Sequence, residues 1–170
     1  MRAHIESVPL VCALAVLVVT DIRWRRLPNA VVLPLWAAGL VAWTWTGGIS
    51  GALHSLGASA ALGVPAALAW RLGLCGGGDV KLLAALGGWL GLVGGVAALA
   101  LGLLLGGVWA GVALLADGEL RRDVVTNLLA AAGQGRLVAP RRELRRTVPF
   151  GAALAAAGGV VALWMGGPHV

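Results

Sequence analysis

Apolar residues run along this chain in long blocks, interrupted at short intervals by prolines, glycines and clusters of arginine. A helix rises about 1.5 Å per residue, so roughly 20 apolar residues cross the hydrocarbon core of a bilayer. Blocks of that length cover about Ile5–Trp24, Asn29–Thr46 and Ala52–Leu74. Between Val80 and Ala116 the only charged residue is Lys81, and the stretch is too long for one span. The adjacent Gly94 and Gly95 mark the expected split into a fourth and a fifth. A sixth block, about Val148 to Met165, closes the pattern. Pro28 cannot continue the helix before it, Asn29 is suited to cap the helix after it, and "TGGISG" reads as a short turn. The pattern predicts an all-α integral membrane protein of about six transmembrane helices, with residues 1–170 forming one domain.

Composition agrees. The chain is 59% hydrophobic and 12% charged, whereas soluble domains are about one quarter charged. A net charge of +6 would suggest nucleic acid in a soluble protein, but these arginines sit in short loops between apolar blocks, so no nucleic-acid partner is expected. With six spans, the loops after the first, third and fifth share one side and hold every Lys and Arg except Arg2. The positive-inside rule makes that side cytoplasmic and leaves both termini outside. The first block is followed by Asp21 and "RWRR" instead of a small-residue cleavage site, which predicts a retained helix and not a signal peptide.

Smaller features extend the picture. Trp24, Trp43, Trp45, Trp70, Trp89 and Trp164 lie near predicted span ends, as an aromatic belt would. The GxxxG spacings Gly87/Gly91, Gly91/Gly95 and Gly107/Gly111 read as close helix packing. Cys12 and Cys75 read as buried free thiols, and His4, His54 and His169 are scattered, so neither a metal site nor a cofactor is expected. "RRELRR", residues 141–146, reads as a topology anchor against the lipid surface.

The informative residues are acids. Glu6 sits at an outer helix end, and Asp117, Glu119, Asp123 and Glu143 lie in a charged loop. Only Asp21 and Asp79 fall in or against apolar blocks, both at the predicted cytoplasmic ends. Each has a bland reading: Asp79 as an N-cap, Asp21 as an ion pair with the arginines after it. At matching depth on different helices, however, they can meet. Two carboxylates a few ångströms apart share a proton. One then activates a water while the other polarises a scissile carbonyl and protonates the leaving amine, which hydrolyses a peptide bond without metal or covalent intermediate. Gly76, Gly77 and Gly78 offer unusual backbone conformations and room for an extended substrate beside Asp79. The run lacks the ending of a phosphate loop. Lys81 either tunes Asp79 or snorkels to the interface, the second being the preferred reading.

"GGGDVKLLAALGGWLG", residues 76–91, resembles the GxGD motif of the type IV prepilin peptidases, and "DIRWRRLPN", residues 21–29, resembles that family's first motif. The resemblance spans the six-helix layout. It implies a GxGD-protease-like bundle in the inner membrane with Asp21 and Asp79 as the catalytic pair. Gly76, Gly77, Gly78, Lys81, Pro28 and Asn29 would shape the site. It also implies a substrate: a prepilin or pilin-like precursor whose short basic leader is cut off after a glycine on the cytoplasmic side. Larger members carry a cysteine-paired cytoplasmic region and methylate the new N-terminus. The short "RWRRLPN" leaves no room for it, so no methyltransferase activity is expected, and the form resembles the peptidases of Flp-type pilus systems. The alternatives are a GxGD protease for archaeal-type or other membrane-anchored precursors, and a non-catalytic subunit or small transporter with the aspartates as an ion relay.

Overall fold

The computed structural model describes residues 2–129 and 150–165, which form helices and no strand. The elements are α1 (Arg2–Trp24), α2 (Asn29–Arg71), α3 (Gly77–Ala116), α4 (Gly118–Leu129) and α5 (Phe150–Met165). "RRELRR" lies outside the described residues.

Two of these helices, α2 and α3, are long and apolar enough to cross a membrane. Only 28% and 17% of their most apolar stretches are covered by the protein, so the apolar surface faces outward, unlike that of a soluble core helix.

Neither runs straight. α2 breaks at Gly48 (φ 59°, ψ −139°) and α3 at Gly91 (φ 70°, ψ −176°), in a region that L side chains rarely enter. The chain reverses at both. Trp36 Nε1 donates to Ser59 Oγ at 2.9 Å across the first break, a pair that a straight helix would hold roughly 35 Å apart. Across the second, a Cβ on Gly95 would lie 3.2 Å from the Gly87 Cα. The split expected at Gly94–Gly95 therefore falls at Gly91: Gly94 and Gly95 stay helical and are occupied by packing against Leu90, Met165, Leu62 and Gly87. The first turn, too, is narrower than "TGGISG", because one residue, Gly48, carries the reversal.

The first limb of α3 sits in the fork of α2. A Cβ on Gly39 would come within 3.0 Å of the Trp89 Cα, and one on Gly87 within 2.6 Å of the Ala58 carbonyl oxygen. Just before the Gly91 break, in the turn whose carbonyls lack onward helical partners, Ser55 Oγ donates to the Gly88 oxygen at 2.8 Å and Trp43 Nε1 to the Trp89 oxygen at 2.9 Å. Trp43 and Trp89 are consequently buried and do not belong to an interfacial belt. Trp24, Trp45, Trp70 and Trp164 are exposed as such a belt requires.

The core joins Leu10, Leu14 and Leu17 of α1 to Leu82 and Leu86 of α3 and Leu154 of α5. α5 is seated on the second limb of α3 through glycines: a Cβ on Gly102 would meet the Leu154 Cα at 3.0 Å, and one on Gly106 the Phe150 ring at 3.1 Å. Gly107 and Gly111, picked out by their spacing, face open space. α4 was not expected. Asp117 is extended and its carbonyl accepts the Arg121 N–H at 3.1 Å. It opens a helix whose sequence places Leu120, Val124, Val125, Leu128 and Leu129 at helical spacing.

Candidate active site

Asp21 lies in the last turn of α1, 8% exposed. Its Oδ2 accepts the backbone N–H of Ala152, in the first turn of α5, at 2.7 Å. It is thus buried and bonded to backbone, unlike a surface ion pair. Arg25, four residues on, holds φ 51° and donates its N–H to the Asp21 carbonyl at 2.9 Å.

Asp79 lies in the first turn of α3. The N-cap is Gly76, and Asp79 reaches back to it, Oδ2 accepting the Gly76 N–H at 3.0 Å. The capping relation is therefore the reverse of the bland reading: Asp79 is the third helical residue, secured by the cap position instead of occupying it.

The chain enters this turn through a Schellman motif at the end of α2. Gly73 (φ 76°) donates to the Trp70 carbonyl and Leu74 to that of Ala69, each at 2.9 Å, the pairing that satisfies a helix's last carbonyls. Gly73, not Gly76–Gly78, supplies the unusual backbone conformation here; Gly76 is extended (φ −83°) and all three keep negative φ. What they supply is closeness. A Cβ on Gly76 would stand 3.1 Å from Asp79 Oδ2, and one on Gly78 3.1 Å from Leu27.

Asp21 and Asp79, from different helices, line one cavity of about 900 Å³. Gly73, Cys75, Gly76 and Arg25 complete its polar end. Its apolar lining includes Ala61, Pro65 and Ala69 of α2 and Leu99 and Leu103 of α3. Phe150 and Gly151 reach it from α5.

Of the other residues expected to shape the site, Gly77, Gly78, Lys81, Pro28 and Asn29 do not line the cavity. Lys81 Nζ donates to Asn29 Oδ1 at 3.0 Å, and both are exposed. Asn29 is the first residue of α2, and the N-cap is Pro28, with no side-chain cap bond. The Asn29 side chain therefore ties α2 to α3 and does not cap its own helix. Cys75 is half-buried, with Sγ 3.5 Å from the Ala66 carbonyl oxygen, and Cys12 is exposed, so neither is a buried thiol. Burial first, then the Asp79 charge, pushes the Cys75 thiol up. Among the described residues no cluster of His, Cys, Asp and Glu could hold a metal.

Arg25, Cys75, Gly73 and the start of α5 were missed as parts of the site. Gly73 was legible as a glycine just past a helix end. Nothing local marked Gly151.

A family model for the type IV leader peptidase family matches residues 8–111. The chain belongs to this family. Membership makes it a protease-family protein and, with the apolar lengths of α2 and α3, points to the membrane. The type IV leader peptidase match contains Asp21 and Asp79 and stops before α5. No curated protein and no solved structure matches the chain.

Proposed function

We propose that the chain is a membrane-embedded aspartic endopeptidase that removes the short basic leader of a prepilin or pilin-like precursor, with Asp21 and Asp79 as its catalytic pair. The observation that carries this reading is that two acids from different helices line one cavity in a chain of this family.

The ionised carboxylate takes a proton from water as the water oxygen attacks the scissile carbonyl carbon. The protonated partner hydrogen-bonds the carbonyl oxygen. Collapse of the tetrahedral intermediate breaks the C–N bond, and the amine leaves with a proton from the pair. The chemistry needs neither metal nor cofactor. The leader lies at the polar end beside Gly76, and the apolar stretch after the cut runs along Ala61, Pro65, Ala69, Leu99 and Leu103. Lys81, Asn29 and Pro28 hold the two motifs in register.

The proposed layout has six crossings: α1, the two limbs of α2, the two limbs of α3, and α5. Both termini lie outside and the cavity opens at the cytoplasmic face of the inner membrane, as the basic loops favour. One peptidase domain, without methyltransferase activity, spans the chain.

Co-expression with a precursor carrying a basic leader, a glycine and an apolar helix tests this. The expected result is a mass loss equal to the leader, ending at the glycine, with no methyl added. A precursor that keeps its full mass beside abundant membrane-inserted protein contradicts the reading.

A further inference from the structure

The residues matched to the leader peptidase family end at 111, yet one side of the carboxylate site is built by α5, which begins at Phe150. Ala152 gives its N–H to Asp21 Oδ2 at 2.7 Å. For that bond to form, the first turn of α5 must lie almost on the carboxylate. A Cβ on Gly151 would stand 2.9 Å from Asp21 Oδ2 and 3.0 Å from the Leu27 Cδ1, so only a glycine fits without something moving. Gly151 also lines the cavity. On the other side of α5, Gly102 and Gly106 let Leu154 and Phe150 approach the second limb of α3. The helix is pressed between that limb and Asp21.

We infer that the first turn of α5, through Gly151 and the Ala152 N–H, is a positioning element for the hydrolytic site, setting where the Asp21 carboxylate stands relative to Asp79. This rests on the protease reading above. A carboxylate oxygen without such an anchor swings about the side-chain torsions. A backbone N–H at a helix N-terminus holds an anionic acceptor and fixes its direction. Gly151 itself is a positioning residue: it touches Asp21, not the substrate's reacting atoms.

The test compares wild type, Gly151→Ala, Gly151→Val and Gly159→Ala, each purified in detergent, with melting curves to set the folded fraction and steady-state cleavage of a prepilin-type peptide. Gly159 lies on the same helix in open space and serves as control. Displacement of a reacting group by a fraction of an ångström to an ångström costs about ten- to a hundredfold in rate. The expected result for Gly151→Ala is therefore a fall in kcat of about tenfold per folded molecule, with KM changed less than about twofold, a larger fall for Gly151→Val, and no change for Gly159→Ala. If Gly151→Val does not fold, the alanine variant carries the test alone. Wild-type kcat in Gly151→Ala overturns the inference while the protease reading stands, and so does a loss that follows the folded fraction only. Absence of cleavage by the folded wild type overturns the protease reading and this inference with it.

Discussion

Ala152 donates its backbone N–H to Asp21 at 2.7 Å across 131 residues of sequence. The bond joins the last described helix to the end of the first. The acid it holds shares a cavity with Asp79, which is itself held by the Gly76 N–H. Each proposed catalytic carboxylate is thus fixed by a backbone donor at the start of a helix, one borrowed from α5 and one from the turn preceding α3.

Packing of α5 is expected to depend on Gly102 and not on the more conspicuous Gly107. A side chain at 102 would press on the Leu154 Cα at 3.0 Å, whereas 107 faces open space. Gly102→Val is expected to lower stability by about 1–3 kcal/mol and to cut cleavage, because α5 carries the Asp21 donor. Gly107→Val should stay within about 0.5 kcal/mol. Melting temperatures and cleavage rates in detergent check both. Equal effects at the two positions would mean that α5 is not seated where described.

Arg25 closes α1 with φ 51°, a conformation that costs an L side chain about 1–2 kcal/mol. Arg25→Gly is expected to raise stability by about 0.5–1 kcal/mol after the added flexibility of glycine in the unfolded chain. Thermal melting reads this directly. A fall in melting temperature would show that the arginine side chain contributes more than its backbone costs.

Ser55 is fully buried and its hydroxyl satisfies the Gly88 carbonyl before the Gly91 reversal. Ser55→Ala leaves that carbonyl without this donor and should cost about 1–3 kcal/mol. Ser50→Ala, at an exposed hydroxyl bonded to the Gly47 carbonyl, should cost less than about 0.5 kcal/mol. The comparison of their unfolding midpoints isolates burial from hydrogen bonding as such.

Cys75 offers a probe of the site's charge. Burial and then Asp79 raise its thiol, and the thiolate is the form that reacts. Labelling by iodoacetamide in a Cys12→Ala background should therefore be slow near neutral pH and accelerate as pH rises past the usual thiol range. Asp79→Asn removes the second cause, which moves the thiol back down and speeds labelling at fixed pH. An unchanged rate would mean that the Asp79 charge does not reach Cys75.

Much of this was legible in the sequence because membrane chemistry makes carboxylates conspicuous. Asp21 and Asp79 stand out where an apolar chain has no ordinary use for charge, and "LPN" and the three glycines mark the helix starts around them. The reversal at Gly91 was not legible to the residue. Gly87, Gly88, Gly91, Gly94 and Gly95 look alike in sequence. All five are closely packed, Gly91 against His54; what marks the reversal is that Ser55 and Trp43, distant in sequence, supply donors to the Gly88 and Trp89 carbonyls just before it. Trp43 and Trp89 were misplaced for a related reason: their position near span ends suits a belt, but Trp43 instead bonds the Trp89 carbonyl. Gly151 had no local signal, since its role arises from an approach between helices at opposite ends of the chain.

The central claim is that Asp21 and Asp79 act as one unit on water, and the most direct measurement is the cleavage rate of wild type, Asp21→Asn, Asp79→Asn and the double variant at matched membrane levels. Residues that act together are grossly non-additive. Each single change is therefore expected to lower the rate by about a thousandfold or more, with the double variant no slower than either. A single variant that cleaves at the wild-type rate, or a double variant far slower than both singles, would contradict the paired-carboxylate account.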